Sequence, residues 1–169
     1  AHVEAGLRSV KRRMPEEINR VLTGHAADLL FAPTDTAVEN LRKEGLDGPG
    51  VVRTGDVMYD AALLYRASAR RPAGAGIPES DFVLCTLHRA ENTDDPERLG
   101  PILRALETVA GEMPVILPVH PRTQKTLSRL GYDIRGTRLR LIDPVGYLQM
   151  IWLLERCRLV MTDSGGLQK

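Results

Sequence analysis

Phe82-Val83-Leu84-Cys85-Thr86-Leu87, followed at once by His88-Arg89-Ala90-Glu91-Asn92, is the stretch on which the fold turns. A short, nearly all-apolar run that stops abruptly in polar residues has the pattern of a strand covered on both faces. The same pattern recurs downstream. Leu99, Ile102, Leu103, Leu106 and Val109 mark one helix face, and Pro114–Val119 is a second strand. A helix over about 122–130, a strand at 139–142, an apolar helix over 145–156 and a strand at 158–162 complete the series. Strands alternating with helices argue for parallel sheets with helices on both sides.

Upstream, Ile18, Val21, Leu22, His25 and Leu29 lie near helical spacing within 14–31, so most of that segment is expected to be an amphipathic helix. Pro15 suits its first position, and Glu16 and Glu17 the positive end of its dipole. Leu29-Leu30-Phe31-Ala32 reads as a strand. Thr34-Asp35-Thr36 caps a helix closed by Gly45, and Val51–Thr54 is a strand that turns at Gly55-Asp56 into a helix near 58–69. Arg70-Arg71-Pro72-Ala73-Gly74-Ala75-Gly76-Ile77-Pro78 has the composition of a linker. The expected fold class is therefore α/β, with two Rossmann-like, doubly wound parallel-sheet domains. The first is represented by its C-terminal part, 1–69, and the second by its N-terminal part, 81–169, with 70–80 as linker. Both are expected to be incomplete, because the chain opens on Ala1-His2-Val3-Glu4 without a turn or cap and stops where a helix is starting.

Composition narrows the function classes. The chain has 169 residues, 43% apolar and 27% charged, with a formal net charge of +1. No basic run is interleaved with aromatics, so nothing points to nucleic acid or to a membrane surface. No stretch approaches the roughly 20 apolar residues of a membrane span, and no signal peptide is visible. Cys85 and Cys157 each sit in an apolar run and read as small buried hydrophobes of a reduced, cytoplasmic protein. No two His or Cys have metal-ligand spacing, and no GxGxxG or Walker loop occurs, so neither metal, nicotinamide nor ATP is called for.

Parallel sheets bind ligands beyond the carboxyl ends of their strands, which singles out the residues directly after each strand. Thr162-Asp163-Ser164-Gly165-Gly166 should open a helix whose free N–H groups favour a phosphate, although an ordinary turn capped by Ser or Asp fits the same residues. His88 and Arg89 could face an anion, or belong to a solvated loop capped by Asn92 or Thr93; His120, in Pro118-Val119-His120-Pro121, ends its strand in the same way. In the first part, Glu4, Glu16 and Glu17 could serve proton transfer, while an acidic first helical turn accounts equally for the last two. Arg8, Lys11, Arg12 and Arg13 read as a solvated basic loop, and His25 as a core or interface histidine. Pattern alone thus reaches a two-domain α/β protein with a phosphate-bearing ligand, and no reaction.

Six segments in order carry a resemblance. His2-Val3-Glu4-Ala5-Gly6-Leu7-Arg8, Met14-Pro15-Glu16-Glu17-Ile18-Asn19-Arg20, Gly55-Asp56-Val57-Met58-Tyr59-Asp60, Thr86-Leu87-His88-Arg89-Ala90-Glu91-Asn92, Pro118-Val119-His120-Pro121 and Thr162-Asp163-Ser164-Gly165-Gly166-Leu167-Gln168 are similar to those of bacterial and archaeal non-hydrolysing UDP-N-acetylglucosamine 2-epimerases. The resemblance implies the GT-B architecture and interconversion of UDP-N-acetylglucosamine and UDP-N-acetylmannosamine, by elimination and re-addition of UDP through 2-acetamidoglucal. It implies no metal or other cofactor, a homodimer when full length, and supply of ManNAc units to surface polysaccharides. By motif, Glu4 and Glu16 become the acid/base candidates and His88 a catalytic or diphosphate-contacting group. Ser164, Gly165 and Gly166 become the phosphate cradle, with Arg89 and His120 as further substrate contacts. The family's Gly-Thr-Arg-Pro-Glu-like strand and its catalytic aspartate would lie upstream of Ala1, a ribose-binding Glu would follow Lys169, and Lys169 stands where many members have Glu. The neighbouring readings are a 2-epimerase for UDP-2,3-diacetamido-glucuronic acid, whose relatives carry Asn where this chain has Leu7, a GT-B glycosyltransferase, and an inactive nucleotide-sugar sensor.

Overall fold

Alternate residues of the central strands point opposite ways, and both ways are buried. Val83 and Cys85, Val115 and Leu117, and Leu139 and Leu141 enter one apolar cluster, while Phe82, Leu84, Ile116 and Ile142 enter another. That is the two-sided burial expected of a parallel sheet, and the computed structural model has it at 83–86 and 115–117, while Arg140 and Leu159 on the outer strands are exposed. The structure describes residues 1–9, 11, 13–74, 76–119, 121–129, 131–132 and 138–168, the side chains of Pro121, Arg122 and Arg129 excepted.

The chain packs as two units, Ala1–Leu63 and Leu64–Lys169. In the first, β1 (His2–Val3), β2 (Leu30–Ala32) and β3 (Val51–Arg53) form a parallel sheet in the order β1-β2-β3, with α1 (Pro15–Ala26) and α2 (Asp35–Lys43) between them. Its core is Ala5, Leu30, Ala32, Ala37 and Leu41. Thr34 caps α2 by accepting the Ala37 N–H at 3.1 Å, and Gly45, at φ +80°, closes it. The division between units falls inside α3 (Val57–Tyr65).

The second unit contains β4 (Val83–Thr86), α4 (Ala90–Thr93), α5 (Pro96–Glu112), β5 (Val115–Pro118), α6 (Pro121–Arg129), β6 (Leu139–Ile142), α7 (Tyr147–Arg156) and β7 (Leu159–Thr162). The strands are all parallel, in the order β6-β5-β4-β7. Leu99, Leu103 and Leu106 of α5 and Leu127 of α6 cover one face, and Trp152 and Leu153 of α7 the other. Each such fully buried Leu contributes about 1.5–3 kcal/mol. The stretch of linker composition docks on this unit: the Arg70 N–H donates to the Leu148 carbonyl at 3.1 Å, and Ile77 is buried. The Arg71 guanidinium lies 5.7 Å from the Trp152 ring centre.

Two expectations from periodicity change. The apolar stripe of α1 is not the side that packs in its unit: Ile18 and Leu22 are 48% and 62% exposed, and His25 is exposed with Nδ1 3.0 Å from the Val21 carbonyl. The buried residues of α1 are Glu17 and Gly24. Polar contacts, described below, hold that side. The second change is at 165–168, where one 3₁₀ turn stands in place of the expected start of a helix.

Candidate active site

In the second unit the first strand, β4, lies beside the last, β7, with β5 and β6 on its other side. The crossovers thus leave β4 in opposite directions. Such a reversal opens a crevice at the carboxyl edge of the sheet, between the loops that follow the two strands. Those loops are 87–89 and 163–164. Thr86 and Thr162 are register partners at the ends of β4 and β7, and their hydroxyls are 2.6 Å apart. The Thr162 hydroxyl also accepts the Ser164 N–H at 2.9 Å, which spends that amide inside the turn.

Asp163 follows, and its carboxylate gathers the whole β4 loop. Its oxygens accept the His88 N–H at 3.2 Å, the Arg89 N–H at 3.0 Å and the Asn92 side-chain amide at 3.1 Å. The His88 Nδ1 lies 3.0 Å from Oδ1. The Asp163 side chain is 12% exposed, whereas that of His88 is 58% exposed. Burial alone would raise the Asp163 pKa; the Arg89, Asn92 and His88 donors and the nearby imidazole outweigh it and hold the carboxyl below its ordinary value. The same charge, after burial as the larger cause, pushes the Cys85 thiol up to about 12, so Cys85 is a core residue and not a nucleophile.

Arg89 Nη1 is 3.7 Å from Glu91 Oε1 at the surface. A side chain added at Gly165 would meet no atom within 4 Å, so the start of the 3₁₀ turn lies open to a ligand. The structure therefore brings His88, Arg89, Ser164, Gly165 and Gly166 to the ends of two adjacent strands. His120 lies outside the described residues.

The first unit arranges its carboxylates differently. Glu4 follows β1 at φ +62°, a left-handed conformation that costs a non-glycine residue about 1–2 kcal/mol. Gly6, at φ +79°, runs so close to α2 that a Cβ would sit 2.2 Å from the Ala37 carbonyl oxygen; the Gly6 carbonyl itself accepts from Asn40 at 3.0 Å. Glu16 is exposed on the first turn of α1. Its neighbour Glu17 is 3% exposed and accepts both the N–H and the hydroxyl of Ser9, each at 3.0 Å. Arg8 is no part of a solvated basic loop: it makes a two-pronged pair with Glu44 at 2.6 and 2.8 Å, its side chain only 6% exposed. That pairing raises the Arg8 pKa and lowers that of Glu44. The Arg8 guanidinium packs over Gly24, 3.6 Å from where a Cβ would be, an ordinary contact distance. His2, on β1, has its pKa lowered by burial first, then by Arg8.

Asp163 and Glu17 are the two polar anchors that sequence reading passed over. By local pattern Asp163 reads as a turn cap, and Glu17, like Glu16, as first-turn charge or a proton-transfer group. A signal existed for the first: an acid directly after a strand ending in Thr.

The family model described as UDP-N-acetylglucosamine 2-epimerase matches residues 1–169. The chain belongs to that family. Among curated epimerases, it is 52% identical over 172 residues to the UDP-2,3-diacetamido-2,3-dideoxy-D-glucuronate 2-epimerase of Pseudomonas aeruginosa, covering 100% of this chain and 48% of that protein. It is 34% identical over 183 residues to the UDP-N-acetylglucosamine 2-epimerase of Escherichia coli K12, covering 99% and 48%. The crystal structure of the Methanocaldococcus jannaschii epimerase in complex with UDP-GlcNAc and UDP matches with a TM-score of 0.82 at 38% identity, covering 99% of this chain and 49% of that one. The chain thus spans about half the length of the epimerases it matches, and the α/β fold with parallel sheets read from its alternation stands. Among the described residues no helix is long and apolar enough to cross a membrane.

Proposed function

We propose that the polypeptide carrying this chain is a non-hydrolysing 2-epimerase that interconverts UDP-N-acetylglucosamine and UDP-N-acetylmannosamine. The observation that carries the reading is the corner at β4 and β7, where the His88 imidazole, the loop bearing Arg89 and an open glycine turn follow adjacent strands at a topological switch point. A diphosphate is the anion such a corner suits. In this reading residues 81–169 belong to the UDP-binding domain and 1–69 to the first, with 70–80 between them.

The C-2 proton of the sugar is very weakly acidic, so its removal must accompany loss of the anomeric oxygen. A carboxylate takes the C-2 proton while the bond from C-1 to the diphosphate oxygen breaks, leaving UDP and 2-acetamidoglucal. Re-addition places a proton on the other face of C-2 and rejoins the diphosphate oxygen to C-1. Glu4 and Glu16 carry the protons, supported by their place in the family motifs and, for Glu4, by a strained backbone of the kind that gathers at functional sites. His88 meets the departing diphosphate, with Arg89, Ser164, Gly165 and Gly166 holding it; His120 is a further contact. The family resemblance also supports a homodimer, a cytoplasmic location and a role in surface-polysaccharide supply.

A second reading has its own support: the 52% identity to an epimerase of a diacetamido-glucuronate, against 34% to the E. coli epimerase. Leu7, whose identity favours the simple sugar, packs on the first unit's core and so need not touch substrate. One experiment separates them. The polypeptide of the full reading frame is incubated in D₂O with UDP-N-acetylglucosamine and, separately, with UDP-2,3-diacetamido-glucuronic acid, and C-2 is followed by NMR. Deuterium at C-2 with a UDP-N-acetylmannosamine signal is expected. Exchange only in the diacetamido sugar selects the second reading, and exchange in neither, with binding shown, rejects both.

A further inference from the structure

We propose that Asp163 is a positioning residue for His88: its carboxylate holds the imidazole by Nδ1, so that Nε2 is the nitrogen presented to the departing diphosphate. This rests on the function proposed above. The geometry makes Asp163 the fixed member of the pair. Three donors that do not belong to the imidazole hold its carboxylate, namely the His88 and Arg89 amides and the Asn92 side chain. The His88 ring, mostly exposed, would otherwise rotate freely about its side-chain bonds. The carboxylate charge 3.0 Å from Nδ1 favours the hydrogen on that nitrogen, because a carboxylate accepts and never donates. Nδ1 is therefore committed and Nε2 is left for the ligand.

The same bonds decide which donors remain for phosphate. The amides of His88 and Arg89 are spent on Asp163, and that of Ser164 on the Thr162 hydroxyl. An anion in this corner consequently depends on the imidazole, the Arg89 side chain and the glycine turn. Asparagine cannot replace Asp163 in this task, because it has one acceptor oxygen where a carboxylate accepts from three donors and also faces the imidazole. Satisfying the backbone amides with that oxygen turns its NH₂ toward Nδ1, which then must accept, moving the ring hydrogen to Nε2.

The test uses the polypeptide of the full reading frame, labelled with ¹⁵N-histidine, with H88N to assign the signal. At about pH 8 the His88 resonances are expected to report hydrogen on Nδ1, and in D163N hydrogen on Nε2. In steady-state kinetics D163N is expected to lower kcat about 10²–10³-fold with KM changed less than about threefold, and D163E to recover part of the loss. In the H88N background D163N should cost less than about threefold more, because its effect runs through the histidine. An unchanged tautomer in folded D163N, or losses that multiply in the double variant, overturns the proposal. The tautomer is read without turnover, so a wild type that epimerises no UDP-sugar would sink the functional reading and leave this result standing on its own.

Discussion

The two carboxyl edges solve the placement of charge in opposite ways. In the second unit one half-buried carboxylate, Asp163, ties down the loop that bears the exposed His88, 75 residues away in the chain. In the first, anchor and proposed reagent are next to one another: Glu17 is buried and fastened to Ser9, while Glu16 is exposed. A third device, the Arg8–Glu44 pair, braces the turn that carries Glu4. Identical side chains therefore do different work according to burial. A carboxylate surrounded by donors, as Glu17 is, is held as structure, while Glu16 beside it stays at the surface.

The division can be attacked by substitution. The largest effect is expected from Glu4→Gln in the full polypeptide: kcat down about 10³-fold, with thermal stability nearly unchanged. A loss of only a few-fold would remove Glu4 from the chemistry and leave it a turn residue. Gly6→Ala should destabilise the first unit by about 3 kcal/mol, because its φ is positive and its Cβ would overlap the Ala37 carbonyl. Hydrogen exchange in residues 1–63 reads that loss. The single tryptophan, Trp152, is buried in the second unit, so its fluorescence transition should stay in place. A common shift of both signals would mean the units unfold together.

Arg8→Leu should cost about 2 kcal/mol by leaving Glu44 without its guanidinium, measured by the same exchange experiment. A smaller, pH-dependent effect belongs to Asp163. Its native pKa is depressed, so its contribution to stability is complete above about pH 4, the ordinary aspartate value, and is lost as pH falls through the native one. The Trp152 transition followed from pH 5 downward to about 2 should carry this slope, and D163N should flatten it. The smallest effect is expected at Arg53–Asp35, an exposed pair at 2.6 Å: Arg53→Ala should change stability by less than about 0.5 kcal/mol. A larger loss would show that strand-end charges in the first unit matter even when solvated.

Much of this architecture is legible in residue order. The nearly unbroken apolar runs Phe82–Leu87 and Pro114–Val119 mark strands buried on both faces, because burial on both sides of a pleat leaves no polar position. Capping by Thr34 and closure by Gly45 are local events, and they occur where their residue types stand. The two-residue strand β1 is too short to show a period and emerges only through its pairing with Leu30–Phe31.

By itself the sequence determined the α/β class, the positions of most elements, the family and the set of polar residues at strand ends, all of which depend on neighbours within a few residues or on motif order. Only the tertiary structure decided that Glu17 and not Glu16 is buried, that α1 packs by Glu17 and Gly24 while its apolar stripe stays exposed, and that Asp163 holds His88. The physical reason is distance along the chain. Local spacing states what each element could bury, but the β6-β5-β4-β7 order brings the end of β7 beside the end of β4, and no local pattern encodes that meeting.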